Sequence, residues 1–219
     1  MKRLNKLFSV LLTTALMAGM LVTTAIPVAA DDNDWSSFDT PVETGQIVDI
    51  TASGLLTQGS DGRLFTWATE GGQNYLGISD DGGQTWDGVE TPVNQPINAI
   101  AVAPDSDDVV YIAIEDDVYK STDGGSTFSL MASLPDVGTI TTMDVAMAGG
   151  DYKVVVGANA GALNTADIYF MDEAEFFYAF ETIGTPSFNT THSGADVIHD
   201  VKLSPDFATD KGIVVLADD

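Results

Sequence analysis

Short runs of apolar, β-branched and aromatic residues alternate with turn residues along most of this chain, and residues 97–131 show the rhythm best. Ile97-Asn98-Ala99-Ile100-Ala101-Val102 is followed by the turn Pro104-Asp105-Ser106-Asp107-Asp108, and then by Val109-Val110-Tyr111-Ile112-Ala113-Ile114. Glu115-Asp116-Asp117 turns the chain into Val118-Tyr119-Lys120-Ser121, and a Gly-rich turn leads to Phe128-Ser129-Leu130-Met131. Each run is too short for a helix and is bounded by Gly, Pro or Asp, so the pattern predicts four consecutive strands of an all-β fold.

The same plan recurs on either side. A first unit is expected from Ile47-Val48-Asp49-Ile50 through Leu64-Phe65-Thr66-Trp67-Ala68 and Tyr75-Leu76-Gly77-Ile78. A third runs from Ile140–Val145 through Tyr152–Val156, Ile168–Met171 and Phe176–Phe180. Ile198–Leu203 and Ile213–Ala217 begin a fourth, with Ser204-Pro205-Asp206 paralleling Ala103-Pro104-Asp105. First strands are thus expected near 47, 97, 140 and 198, with an insertion around 184–196.

Two turns are close copies. Ser79-Asp80-Asp81-Gly82-Gly83-Gln84-Thr85-Trp86 returns as Ser121-Thr122-Asp123-Gly124-Gly125-Ser126-Thr127-Phe128, 42 residues later. Both read Ser-x-Asp-x-Gly-x-Thr-aromatic. That period suits one supersecondary unit and argues for an internal repeat. In such a turn the aspartate accepts bonds from nearby backbone N–H groups, the glycines permit positive φ, and the aromatic enters the next strand.

Ser79, Asp81, Gly83, Thr85 and Trp86, with Ser121, Asp123, Gly125, Thr127 and Phe128, resemble the Asp-box, or BNR repeat, of sialidase-like and xyloglucanase-like β-propellers. The second copy has Phe128 where the family more often has Trp. The resemblance implies a propeller of four-stranded antiparallel blades, in which the box joins the two outer strands and has a structural role. Propellers commonly close with about four to eight blades. Three units and two strands of a fourth leave an open edge and an apolar face. The expectation is therefore that this is the N-terminal part of a longer protein, the alternative being closure by self-association.

Residues 1–30 read as a leader. Lys2, Arg3 and Lys6 precede an apolar stretch from Leu7 to about Val22, and Val28-Ala29-Ala30 supplies small residues for cleavage. An uncleaved anchor is the alternative, but the apolar run is short for a membrane span. Residues 31–46 then form a mature N-terminal segment and 47–219 the partial propeller. Three of the eight basic residues leave with the leader, so five face 33 acidic ones in a chain whose formal charge is already −25. Such a surface repels phosphate backbones and excludes nucleic acid as a partner. With no cysteine, the exported domain has to be held by its core alone.

Candidate chemistry is sparse. Sialidases of the resembled superfamily grip their substrate with three arginines and use a Tyr/Glu pair, yet after the leader only Arg63 remains. Xyloglucanase-like relatives use two carboxylates across a cleft. Asp49 and Asp144 fall in first strands, which line the channel of a propeller, and are the candidates for such a pair. Their other reading is as polar residues facing a watery channel. His192 and His199 match no zinc spacing. Asp105-Ser106-Asp107-Asp108 and Asp31-Asp32-Asn33-Asp34 offer oxygen ligands for Ca²⁺ without a complete calcium loop. Trp67, Tyr75, Phe170, Phe176, Phe177 and Tyr178 suggest either a sugar-stacking platform or packing between blades, and packing is the expectation. Asn189-Thr190-Thr191 fits a glycosylation acceptor by chance in a chain with a bacterial type of leader.

The fold hosts unrelated activities. The expected role is a non-enzymatic, exported cell-surface or S-layer-like scaffold, with polysaccharide, envelope proteins or a second copy as partner and no resident cofactor. An extracellular glycoside hydrolase is the alternative. A third resemblance, to photosystem-assembly factors with Asp-box propellers, lacks the basic patch that such partners would need.

Overall fold

A computed structural model describes residues 55–134, 138–159, 166–175, 179–183 and 197–218. Consecutive strands pair with their neighbours in sequence, giving antiparallel sheets that simply meander. The first sheet holds β1 (Leu56–Gln58), β2 (Leu64–Glu70), β3 (Gln73–Ser79) and β4 (Asp87–Glu90). The second holds β5 (Ala99–Ala103), β6 (Ser106–Ile114), β7 (Asp117–Ser121) and β8 (Ser129–Ser133). In the third are β9 (Ile140–Ala148), β10 (Asp151–Ala158), β11 (Asp167–Asp172) and β12 (Glu181–Thr182). A fourth pairs β13 (Val197–Leu203) with β14 (Ile213–Asp218).

The alternation of side chains along each strand explains why these sheets stack as blades. Opposite faces of the second sheet enter two different apolar clusters. Ile100, Val110, Ile112 and Tyr119 pack with Phe65 and Leu76 of the first sheet. Ala99, Ala101, Tyr111, Ala113 and Val118 pack with Val154, Val156, Tyr169 and Met171 of the third. Val155 and Ile168 on the far face of the third sheet then meet Val201, Leu203 and Phe207 of the fourth. Burying one such side chain stabilises by about 1.5–3 kcal/mol, so the core of this protein lies between sheets. The architecture is that of propeller blades: all-β, four-stranded, antiparallel and stacked face to face.

Hydrogen bonds between first strands repeat the stacking. The Thr57 hydroxyl donates to the Ile100 carbonyl across the first two blades at 3.3 Å, and the Thr141 hydroxyl to the Ile198 carbonyl across the last two at 2.6 Å. The fourth blade comes close to the third where glycine leaves room for its side chains: a Cβ on Gly157 would lie 2.5 Å from Ile198 Cγ2.

Three elements differ from the sequence pattern. The strand that pairs with β2 is Leu56–Gln58, whereas Ile47–Ile50, with Asp49, lies outside the described residues. In the third blade β11 pairs with Glu181–Thr182, and residues 176–178 lie outside the described residues. Both observed strands are short and polar, and backbone register selects them where apolar patterning would not. Beyond the Ser204-Pro205-Asp206 turn the chain makes one helical turn, α1 (Phe207–Asp210). It buries Phe207 against Phe170, ring centroids 5.8 Å apart, and ends at Lys211 in the left-handed conformation.

Candidate functional site

Each box is a closed set of local hydrogen bonds. In the first, the Ser79 hydroxyl donates to Asp81 Oδ1 at 2.9 Å and accepts the Gly83 N–H at 2.8 Å. Asp81 also receives the N–H groups of Gln84 and Thr85 and, through Oδ2, the Thr85 hydroxyl at 2.6 Å. The second box repeats this with Ser121, Gly125, Thr127 and Asp123, whose Oδ2 takes the Thr127 hydroxyl at 2.6 Å. Gly82, Gly83, Gly124 and Gly125 all have positive φ, as the reversal requires.

These bonds favour the charged carboxylates. The threonine hydroxyl is the largest influence on each, and both Asp81 and Asp123 are lowered from 3.8 to about 2. A depressed carboxylate adds stability above its unfolded value and loses it as pH falls through the folded one. The box turns are therefore expected to persist to about pH 2 and to open below it. A carboxyl-carbon NMR titration checks this; midpoints near 3.8 would mean that the bonds do not form in solution.

The box also builds the contact with the preceding blade. A Cβ on Gly125 would sit 2.8 Å from Leu76 Cδ2 and 3.1 Å from Ile78 Cδ1, and Phe128 packs into the same cluster. The third blade lacks a box, and its turn makes a different contact. Glu173 Oε1 accepts the Tyr111 hydroxyl at 2.7 Å, and Oε2 pairs with Lys120 Nζ at 2.6 Å. Lys120 stands directly before Ser121, as Ile78 stands before Ser79. An apolar side chain thus meets a box, and a lysine meets the carboxylate that replaces one. The ammonium also lies 5.3 Å and 5.2 Å from the ring centroids of Tyr111 and Tyr152.

A Tyr–Glu hydrogen bond invites comparison with a nucleophile pair, but the tyrosine here is inaccessible. Tyr111 is fully buried, and burial first, then Glu173, pushes its hydroxyl above the ordinary tyrosine value. A nucleophile needs the opposite shift and an open approach.

Asp144 lies on β9 facing the fourth blade, where it accepts the Leu203 N–H at 2.8 Å and stands 3.5 Å from Lys202 Nζ. Asp49, its suggested partner, is outside the described residues, as are His192, Asp31–Asp34, Phe176, Phe177, Tyr178 and Asn189–Thr191. His199 pairs with Asp218 at 3.0 Å on an exposed surface. The Trp67 indole N–H donates to Asn74 Oδ1 at 3.0 Å while its ring joins the cluster between blades one and two. Phe170 packs between blades three and four, and Tyr75 lies over Gly88.

A shallow cleft of about 140 Å³ is lined by Asp61, Arg63, Asp80, Ser106, Asp107 and Asp108. Three of its charged side chains, Arg63, Asp80 and Asp107, are already engaged. Arg63 Nε meets Asp80 at 2.5 Å, while Asp107 accepts the Ser60 hydroxyl and the Asp61 N–H. Among the described residues no three of His, Cys, Asp and Glu converge as metal ligands. No helix there is long and apolar enough to cross a membrane.

No family model matches this sequence, and no curated protein does. Solved structures are similar to it at low identity. A point mutant of the NanB sialidase from Streptococcus pneumoniae is 17% identical over 68% of this chain and 25% of its own, with a TM-score of 0.45. An ancestral GH74 enzyme is 13% identical over 67% of this chain and 21% of its own, TM-score 0.48. YCF48 bound to D1 peptide is 19% identical over 69% and 44%, TM-score 0.42. The chain thus spans a quarter or less of the two enzymes and under half of YCF48. By its own strand pairing, blade stacking and two box-like turns, the described part has the architecture of β-propeller blades.

Proposed function

We propose that this chain is a non-enzymatic, exported scaffold of the cell surface, whose work is to present and hold blades. One observation carries the reading: among the described residues, Asp144, Asp107, Glu173 and Tyr111 use their polar groups to join one blade to the next. Asp144 bonds the fourth blade, Asp107 the first and Glu173 the second, while Arg63 is paired with Asp80 inside the first. The leader-like residues 1–30 and the strongly acidic composition support export and solubility outside the cell.

Polysaccharide-hydrolysis assays on the full exported protein test this. No turnover is expected from the wild type, and Asp144→Asn is expected to lower only stability, by about 1 kcal/mol for one weakened hydrogen bond. Hydrolysis by the wild type that Asp144→Asn abolishes would replace this reading with that of a glycoside hydrolase working through paired carboxylates.

A further inference from the structure

Aspartate stands directly before glycine at Asp61-Gly62, Asp81-Gly82, Asp87-Gly88 and Asp123-Gly124. Such a peptide link is open to rearrangement, because glycine has no side chain to keep its nitrogen from the neighbouring carboxyl group. When that nitrogen gives up its proton and attacks Cγ of the protonated acid, a C–N bond forms and one water leaves, closing a succinimide ring. Water then adds back at one of the two ring carbonyls. Addition at the main-chain carbonyl leaves isoaspartate, with the mass unchanged and the backbone longer by one methylene. No oxidant, reductant or further reactant is needed.

The fold treats the four dipeptides differently. In both boxes the carboxylate is tied to other partners. Asp81 is held by the Ser79 and Thr85 hydroxyls and by the N–H groups of Gln84 and Thr85. Asp123 is held by the Ser121 and Thr127 hydroxyls and the Thr127 N–H. The same bonds, the threonine hydroxyl first, keep both groups ionised down to about pH 2, and the ionised form does not release water. Asp87-Gly88 lies within β4, paired with Ile78 and Gly77 of β3, so its peptide cannot turn without leaving the ladder.

Asp61-Gly62 is in the turn between β1 and β2. Asp61 is gripped by its N–H, which donates to both oxygens of Asp107 at 3.2 Å, and among the described residues no partner holds its carboxylate. The Gly62 N–H is restrained by one bond, to the Gly59 carbonyl at 3.2 Å. We infer that Asp61-Gly62 is the site of isoaspartate formation in this protein, and that the box turns protect the same dipeptide at residues 81 and 123. The consequence falls on a joint between blades. Asp107 of the second blade accepts the N–H groups of both Asp61 and Arg63, and a methylene added between them pulls the two apart. Each conversion therefore loosens the first blade from the second. This goes beyond the scaffold reading and does not depend on it.

The test is to age the full exported protein at neutral pH, folded and in urea, and to locate isoaspartate by peptide mapping with electron-transfer fragmentation. In the folded protein isoaspartate is expected at residue 61 first. Folding is expected to slow conversion at 81 and 123 at least about tenfold, since each unit of pKa depression makes the protonated acid about ten times rarer. Thr85→Val, at an exposed position, removes a donor from Asp81 and is expected to bring isoaspartate to residue 81 without changing residue 61. Asp61→Glu, whose longer side chain closes a ring only slowly, should abolish the conversion and keep the urea midpoint constant on ageing, where that of the wild type falls. Isoaspartate arising first at 81, 87 or 123 would overturn the inference. So would none at 61 while the unfolded chain converts there, or a rate at 81 that Thr85→Val leaves untouched. A midpoint that stays constant despite conversion at 61 would overturn the loosening of the joint.

Discussion

Replacing Glu173 by leucine is expected to cost about 2–3 kcal/mol of stability, chiefly because it strands the ammonium of Lys120 between two blades. The lysine side chain is 22% exposed and the glutamate 13%, so water can reach neither freely. The Tyr111 hydroxyl, in a fully buried residue, loses its acceptor at the same time. A buried pair is costly to break but need not stabilise relative to apolar residues of similar size. The double variant Lys120→Met/Glu173→Leu should therefore recover most of the loss. It restores the kind of contact that Ile78, at the equivalent place in the first blade, makes with the second box. Urea unfolding of the two single variants and the double completes the cycle. Additive losses would mean that the two side chains do not act as a pair.

That cycle also marks where the sequence stops being readable. The boxes are legible because every bond closes within four residues, from Ser79 to Gly83 and from Asp81 to Thr85. A local pattern of Ser, Asp, Gly and Thr therefore carries its own geometry. Strand order is nearly as legible, since each strand pairs with its neighbour in sequence and no crossover has to be guessed. The contacts between blades are different. Lys120 and Glu173 lie 53 residues apart, and Asp144 and Leu203 lie 59 apart. Asp144, expected from its strand to face a channel, spends its carboxylate on the neighbouring backbone for that reason.

One signal for the Glu173 contact was present. Aligning the units puts Lys120 where Ile78 stands, just as the third unit loses its box. A charge replacing an apolar residue beside a missing turn is the mark of a substituted contact. No such mark betrays β1. Leu56-Thr57-Gln58 has one apolar residue, and it is a strand because the turn from residue 59 to 63 returns the chain onto β2. That turn is itself held by an acid more than forty residues away.

Removing that acid gives the second large effect: Asp107→Ala is expected to destabilise the protein by about 1.5–3 kcal/mol. Asp107 is 4% exposed and belongs to the second blade, yet its carboxylate serves the first. It accepts the Ser60 hydroxyl at 3.0 Å, the Asp61 N–H with both oxygens at 3.2 Å, and the Arg63 N–H at 3.4 Å. Ser60 and Asp61 are exposed, so water replaces part of what is lost, and this keeps the cost below that of a sealed site. Asn retains one acceptor oxygen and should fall between Asp and Ala. Gly59 provides the independent check. A Cβ there would lie 2.3 Å from Asp107 Cγ, so Gly59→Ala has to displace the carboxylate to fit. Its damage should overlap with that of Asp107→Ala, making the double variant less unstable than the sum of the singles. Equilibrium unfolding in urea measures all four proteins. If Asp107→Ala lies within about 0.5 kcal/mol of wild type, as an ordinary surface change does, the turn between β1 and β2 is not anchored by the second blade. The register of β1 would then need another cause.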